Sequence, residues 1–302
     1  MNTSFRGIWV PLATPMGHGE IDLPRLQTLA DRLIAGGAHG LVVCGTTGEA
    51  SQLDLAEQSA VLSAVLETAH RRCPVLMGVG GSDTHSAAAK VREFDDTELA
   101  GYLVATPAYV RPSQEGLLRH FETIADATGR PIVLYNVPAR TGVNLELATA
   151  RTLAQRPQFA AIKEAGGSLQ RMEELVRHTP LAMLCGDDAL LFAALCAGGQ
   201  GAISAAAHIR VDLFVQVYDL VHAGHLAEAM TVFDHLLPVI RLLFSEPNPA
   251  PLKAALAMQG LLRDELRLPM MPASDSCRTQ LAAALAALDA IPAYHSLEEV
   301  TA

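Results

Sequence analysis

Lysine is scarce in this chain of 302 residues: Lys90, Lys163 and Lys253 stand against nineteen arginines. No basic stripe appears either, and 22 basic against 32 acidic residues give a formal charge of −10, so nucleic acid and anionic membrane are poor partners. The five cysteines, Cys44, Cys73, Cys185, Cys196 and Cys277, form an odd set without a C-x-x-C pair. They read as small apolar residues in a reducing cytoplasm. No glycine-rich dinucleotide motif and no phosphate-loop lysine occurs, which leaves nucleotide binding unsupported. A mean hydropathy of +0.24 raises the question of a membrane span. The longest stretch without Asp, Glu, Lys or Arg, Ala189–Ile209, is broken by Gly198, Gly199, Gln200 and Gly201, so it reads as helix, turn and strand. Arg6 is not followed by the apolar core of a signal peptide. A soluble, cytoplasmic protein is expected.

What is present is apolar and regularly spaced. Half of the residues are hydrophobic and 18% are charged, ample for a large core. Short runs, apolar on both faces, lie at 7–13, 40–44, 74–79, 101–105, 131–135, 159–163, 181–185 and 200–204, as parallel strands covered by helices require. Helical signals separate them. Asp22 precedes Pro24 and Gly36-Gly37 stop the first helix; Asp54 with Glu57 makes a capping box for 55–72; Ser113 opens a helix near 114–128. Eight β-then-α units predict a (β/α)8 TIM barrel over residues 1–223, a fold that occupies roughly 250 residues as one unit. An open, doubly wound sheet is the alternative. Residues 224–302 carry no strand signal, and 224–244, 248–262 and 276–289 predict a C-terminal helical region packed on the barrel.

In such a barrel the chemistry sits on the loops after the strands. Gly45-Thr46-Thr47-Gly48-Glu49, Thr106-Pro107-Ala108-Tyr109, Tyr135-Asn136, Lys163-Glu164, Gly186-Asp187-Asp188 and Ser204 all fall there. Lys163 is the most informative. In a chain whose default cation is arginine, a lysine that ends the run Phe-Ala-Ala-Ile is placed where burial favours a neutral amine, a nucleophile for carbonyl carbon. The alternative is a snorkelling lysine or one paired with Glu164. Tyr135 suits a proton relay or plain packing. Thr46 and Thr47, with their loop N–H groups, suit a carboxylate or an ordinary tight loop. His222 and His225 have no Glu or Cys partner in the local sequence, and Asp187-Asp188 read as a helix cap rather than a magnesium site. No metal and no organic cofactor is expected.

Together these motifs resemble the dihydrodipicolinate synthase and N-acetylneuraminate lyase superfamily of pyruvate-dependent class I aldolases. The resemblance runs in register from Phe5 to Leu288. It rests on Thr14-Pro15, Gly45–Glu49, Arg111-Pro112-Ser113-Gln114-Glu115-Gly116, Tyr135-Asn136-Val137-Pro138, Lys163-Glu164 and Gly186-Asp187-Asp188. Thr46, Arg140 after the Tyr-Asn-Val-Pro motif, and the run Glu246–Lys253 with Leu268-Pro269-Met270 resemble the synthase branch. That branch condenses pyruvate with L-aspartate 4-semialdehyde to 4-hydroxy-tetrahydrodipicolinate in the diaminopimelate and lysine pathway. The resemblance implies a lyase in which Lys163 forms a covalent Schiff base with pyruvate and Thr46, Tyr109 and Tyr135 relay protons. It places Thr47, Arg140, Gly186 and Ile203 among the substrate-binding residues. It also implies that Tyr109 reaches a neighbouring subunit of a homodimer or homotetramer. Cleavage of another 2-keto acid by a paralogous aldolase and a catalytically dead keto-acid binder are the competing readings.

Departures from the family pattern carry information. Ala108 stands where many synthases have a first tyrosine beside Tyr109, and Trp9 and Gly80-Gly81-Ser82 are untypical. Where lysine-inhibited members carry His, Asn, Glu and Tyr, this chain has Leu55, Ser82, Ser86 and Ala108. The carboxylate that would meet the effector's ammonium group is gone. L-Lysine in the low millimolar range is therefore expected to inhibit turnover little or not at all; a steady-state titration with lysine checks it, and strong inhibition contradicts it.

Overall fold

A computed structural model describes residues 5–294; residues 1–4 and the tail 295–302, the end of the expected helical region, lie outside the described residues. Strand β1 (Gly7–Pro11) is followed by a small antiparallel hairpin, β2 (Met16–Gly17) and β3 (Glu20–Ile21), which the apolar pattern does not signal. Helix α1 (Leu23–Ala35) starts where the Asp22 side chain accepts the Arg25 N–H, carries Pro24 in its first turn and stops at Gly36. Its Leu26, Leu29, Ala30 and Leu33 recur at helical spacing and are all buried. Strand β4 (Gly40–Val43) leads to α2 (Leu55–Ala69), whose Asp54–Glu57 capping box is fully formed and whose end falls three residues before the expected 72.

The alternation continues through β5 (Val75–Val79), α3 (Thr84–Phe94), β6 (Gly101–Ala105), α4 (Gln114–Ala125), β7 (Ile132–Asn136), the short helices α5 (Pro138–Thr141) and α6 (Leu147–Leu153), β8 (Phe159–Glu164), α7 (Leu169–His178), β9 (Ala182–Cys185), α8 (Leu191–Cys196) and β10 (Gly201–Ile203). Then come only helices among the described residues: α9 (Val211–His222), α10 (Leu226–Leu243), α11 (Ala250–Met258) and α12 (Asp275–Asp289). The eight longer strands form one closed parallel sheet in the order β1-β10-β9-β8-β7-β6-β5-β4. This is the (β/α)8 barrel, not the open sheet. No described helix is long and apolar enough to cross a membrane.

The described residues group into two compact units, Phe5–Arg6 with Pro74–Ile203, and Gly7–Cys73 with Ser204–Tyr294. In the second, β1 pairs with β4 through Trp9↔Gly40 and Val10↔Leu41. The Trp9 ring lies so close that a Cβ at Gly40 would come within 2.1 Å of it, so glycine is required opposite the indole. Helix α1 packs on α2, α10 on α9, and α12 on α10 and α11. In the first unit, the strands from β5 to β10 are neighbours in sequence order, and α3 packs on α4, α6 on α4, and α7 on β9.

One buried histidine in each unit is held neutral. His208 is 1% exposed; its Nε2 accepts the Ala13 N–H at 3.1 Å, which leaves Nδ1 as the donor to the Ala205 carbonyl at 2.8 Å. His120 meets the Thr84 hydroxyl at 2.9 Å. Burial pushes both imidazoles down to about 4. An unfolded histidine titrates near 6.5, so between these values the unfolded chain holds a proton that the folded chain refuses. The stability is whole above about pH 6.5 and is lost as the pH falls toward about 4. The stability advantage of wild type over the His208→Gln variant, measured by denaturant unfolding, is expected to shrink by about 2 kcal/mol between about pH 7 and about pH 4.5; a pH-independent difference contradicts it.

Candidate active site

Strands β7 and β8 run in register with Tyr135 opposite Lys163 and Asn136 opposite Glu164. Both inner residues are nearly buried, Lys163 at 7% and Tyr135 at 8% exposure, and the Lys163 Nζ stands 4.4 Å from the centre of the Tyr135 ring. That is cation–π contact, which steadies the amine without a hydrogen bond. Among the described residues, neither Nζ nor the Tyr135 hydroxyl has a hydrogen bond or ion-pair partner. The alternative in which Lys163 pairs with Glu164 is thereby corrected. Successive side chains on a strand point to opposite faces, and Glu164 turns toward α7, where Arg171 Nε lies 3.7 Å from its Oε2.

Gly186 follows β9 directly alongside the lysine. A Cβ there would sit 2.9 Å from Lys163 Cε and 2.8 Å from Ala165 Cβ, so the chain passes this point only as glycine. Asp187 does not act as the expected cap. Its Oδ2 accepts the Gly167 N–H at 2.7 Å, and α8 has no side-chain cap at all. Burial pushes the Asp187 carboxyl up, while the Gly167 N–H and the charge of Lys163 pull it back. Ile203, the last residue of β10, is fully buried.

Tyr109 and Arg140 belong to two loops tied together. The Tyr109 N–H donates to the Thr141 carbonyl at 3.3 Å, and the Thr106 hydroxyl donates to that of Thr141 at 3.0 Å. Arg140 is exposed on α5, beside Thr141. Tyr109 is 90% exposed and sits at φ +73°, a left-handed conformation costing a bulky residue on the order of 1–3 kcal/mol. The Lys163–Tyr135–Gly186 cluster thus comes together, with Tyr109 and Arg140 on neighbouring loops of the same unit.

In the other unit, Thr46 and Thr47 follow β4. The loop closes on itself as the Gly48 and Glu49 N–H groups donate to the Gly45 and Thr46 carbonyls at 3.1 Å each. Among the described residues, the N–H groups of Thr46 and Thr47 donate to nothing. Two unmet donors beside two hydroxyls form a cradle for an anion. The C-terminal helices hold this loop. Asn248 Nδ2 donates to Thr47 Oγ1 at 3.2 Å, Lys253 Nζ donates to Glu49 Oε1 and to the Glu265 carbonyl, and the Arg267 N–H meets Glu49 Oε2 at 3.0 Å. Glu49 and Lys253 are both buried. Burial lowers the Lys253 ammonium and Glu49 opposes that shift. Removing either partner would leave the other charge buried and alone, a loss of about 3–5 kcal/mol.

Sequence reading missed Asn248, Lys253 and Arg171 as supports of these loops. The rarity of lysine was the available signal for Lys253. His225 does have a carboxylate partner, Glu228 Oε1 at 3.0 Å, and His222 packs against the Tyr218 ring. Among the described residues, no group of three or more His, Cys, Asp or Glu side chains is placed to hold a metal ion.

Comparison with known proteins agrees with the architecture. The model of the dihydrodipicolinate synthetase family matches residues 4–288. The 4-hydroxy-tetrahydrodipicolinate synthase of Geobacter metallireducens is 38% identical over 92% of this chain and 97% of its own length. The dihydrodipicolinate synthase structure of Thermotoga maritima superposes with a TM-score of 0.93 at 34% identity, covering 95% of this chain and 99% of that one. The chloride-inhibited dihydrodipicolinate synthase of Acinetobacter baumannii, in complex with pyruvate, gives a TM-score of 0.93 at 34% identity over 95% of this chain and all of its own. The chain belongs to the dihydrodipicolinate synthetase family.

Proposed function

We propose that this chain is a pyruvate-dependent lyase of the class I aldolase type, condensing pyruvate with L-aspartate 4-semialdehyde to 4-hydroxy-tetrahydrodipicolinate on the route to diaminopimelate and lysine. The observation that carries this reading is Lys163, a buried amine without a hydrogen-bond partner, beside the ring of Tyr135. Relatives of this chain in sequence and fold bear the synthase name, and the Acinetobacter relative holds pyruvate.

The chemistry follows from these groups. The neutral Lys163 amine adds to the pyruvate ketone, and loss of water gives an iminium whose positive nitrogen withdraws electrons from the neighbouring methyl group. A proton leaves the methyl, the resulting enamine carbon bonds to the aldehyde carbon, and the aldehyde oxygen takes up a proton. The amine of the second substrate then attacks the iminium carbon, closes the ring and releases Lys163. Each stage moves a proton, the work assigned to the hydroxyls of Tyr135, Thr46 and Tyr109. Thr47 and the unmet loop N–H groups suit the pyruvate carboxylate, Gly186 and Ile203 are assigned to its surroundings, and Arg140 suits the second carboxylate as a fork of paired donors. No step calls for an organic cofactor or a metal.

Tyr109, exposed and strained in the single chain, is assigned to the site of a second copy in a homodimer or homotetramer. The free thiols of Cys44, Cys73, Cys185, Cys196 and Cys277 suit the cytoplasm.

Pyruvate with borohydride is expected to label Lys163, and turnover in a reductase-coupled assay to fall at least about a thousandfold in Lys163→Ala. Well-folded wild type that neither turns over nor is labelled contradicts the reading. Arg140→Ala is expected to raise KM for the aldehyde about tenfold or more while labelling by pyruvate stays at the wild-type rate. Equal loss with both substrates would remove Arg140 from its assigned role.

A further inference from the structure

We infer that Glu164 and Asn136 form a positioning pair that sets the geometry between Lys163 and Tyr135 without touching substrate. The inference rests on the functional reading above. Each member is the next residue after one of the two reacting side chains, on the opposite face of the same strand, so the two pairs share one register. Both are fully buried.

The hydrogen bonds leave little freedom. Asn136 Nδ2 donates to Glu164 Oε1 at 2.9 Å and Oε2 at 3.0 Å, and to Asn144 Oδ1 at 2.8 Å. Asn136 Oδ1 accepts the Leu145 N–H at 2.9 Å, which fixes the amide the other way round from any flip. Glu164 Oε1 also accepts the Gly166 N–H at 2.8 Å. Arg171, near Oε2, donates through its other arm to the Leu145 carbonyl at 2.6 Å. Every hydrogen-bond partner of the carboxylate is thus a donor, and the Asp187 charge is the neighbour that opposes them. A proton on Glu164 would have no acceptor, so the geometry holds the anion although burial pushes its carboxyl up.

This arrangement clamps four pieces of chain at one point: the ends of β7 and β8, the loop at Leu145, and the turn at Gly166. The turn is built against Glu164, since a Cβ at Gly166 would lie 2.7 Å from Oε1. The next N–H, that of Gly167, fixes the Asp187 carboxylate. A carboxylate immediately beside a reactive lysine is thereby kept from pairing with it. Its charge is spent on the other face of the sheet, and Nζ stays free.

The pair can be tested by exchanging its members. Glu164→Gln turns an amide toward the Asn136 amide, and Asn136→Asp turns a carboxylate toward Glu164. The double exchange restores one amide–carboxylate bond, keeps an acceptor for both Leu145 and Gly166, and leaves the net charge unchanged. Each single variant is expected to lose about tenfold to a hundredfold in kcat and in the rate of borohydride labelling by pyruvate, with KM for pyruvate within about threefold. The double variant is expected to regain both rates to within about tenfold of wild type. Arg171→Gln, which removes the 3.7 Å partner and the bond to the Leu145 carbonyl but leaves the Asn136–Glu164 bonds in place, serves if a single variant fails to fold and is expected to lose a few-fold in labelling rate. Folded variants labelled at the wild-type rate overturn the inference, as does a folded double variant no better than the worse single one. Wild type that pyruvate and borohydride do not label at Lys163 overturns instead the functional reading on which it rests.

Discussion

The alternation of side chains along a strand is the constraint on which this site depends. Lys163 and Glu164 are adjacent in sequence and carry opposite charges, yet the pleat sends them to opposite faces of the sheet. Were they on one face, a buried ammonium and a buried carboxylate would find each other, and the ion pair would hold the lysine protonated. On opposite faces each is partnered differently. Glu164 is surrounded by donors from Asn136, Gly166 and Arg171, while Lys163 has the Tyr135 ring and no acceptor among the described residues. The proposed function makes the lysine a nucleophile, and the register keeps the adjacent carboxylate from pairing with its amine.

The strands were legible in the sequence because a parallel sheet covered by helices is apolar on both faces, and eight short runs of that kind are hard to produce otherwise. The 159–163 run becomes β8 with one residue added, and that residue is Glu164, a charge that apolar patterning places outside the strand. Helix starts were legible where a cap is local, as at Asp22 and Asp54. The hairpin β2–β3 was not, because two-residue strands leave no period to detect. Asp187 misled for a related reason: a carboxylate after a strand reads as a cap, and only the fold reveals the Gly167 N–H as its partner. The candidate site was legible as a set of loop positions. Its supports were not, since Asn248 meets Thr47 and Lys253 meets Glu49 across some two hundred positions of sequence.

The two buried lysines, read side by side, show what burial alone does not decide. Lys253 is fully enclosed, with a carboxylate and a carbonyl as acceptors, and it anchors the Gly45–Glu49 loop to α11. Lys163 is almost as enclosed but keeps a sliver of exposure and, among the described residues, no acceptor. Desolvation disfavours the ammonium of Lys253. In Lys253 the ion pair with Glu49 opposes that tendency and converts the charge into a structural tie, useful because its loss is expensive. Among the described residues Lys163 has no comparable ion pair, only the Tyr135 ring against its amine. The Glu164 and Asp187 carboxylates each accept a backbone N–H from the same short turn, Gly166 and Gly167. Two adjacent glycine N–H groups therefore tie both carboxylates to one turn, and Glu164 is held on the face of the sheet opposite the amine.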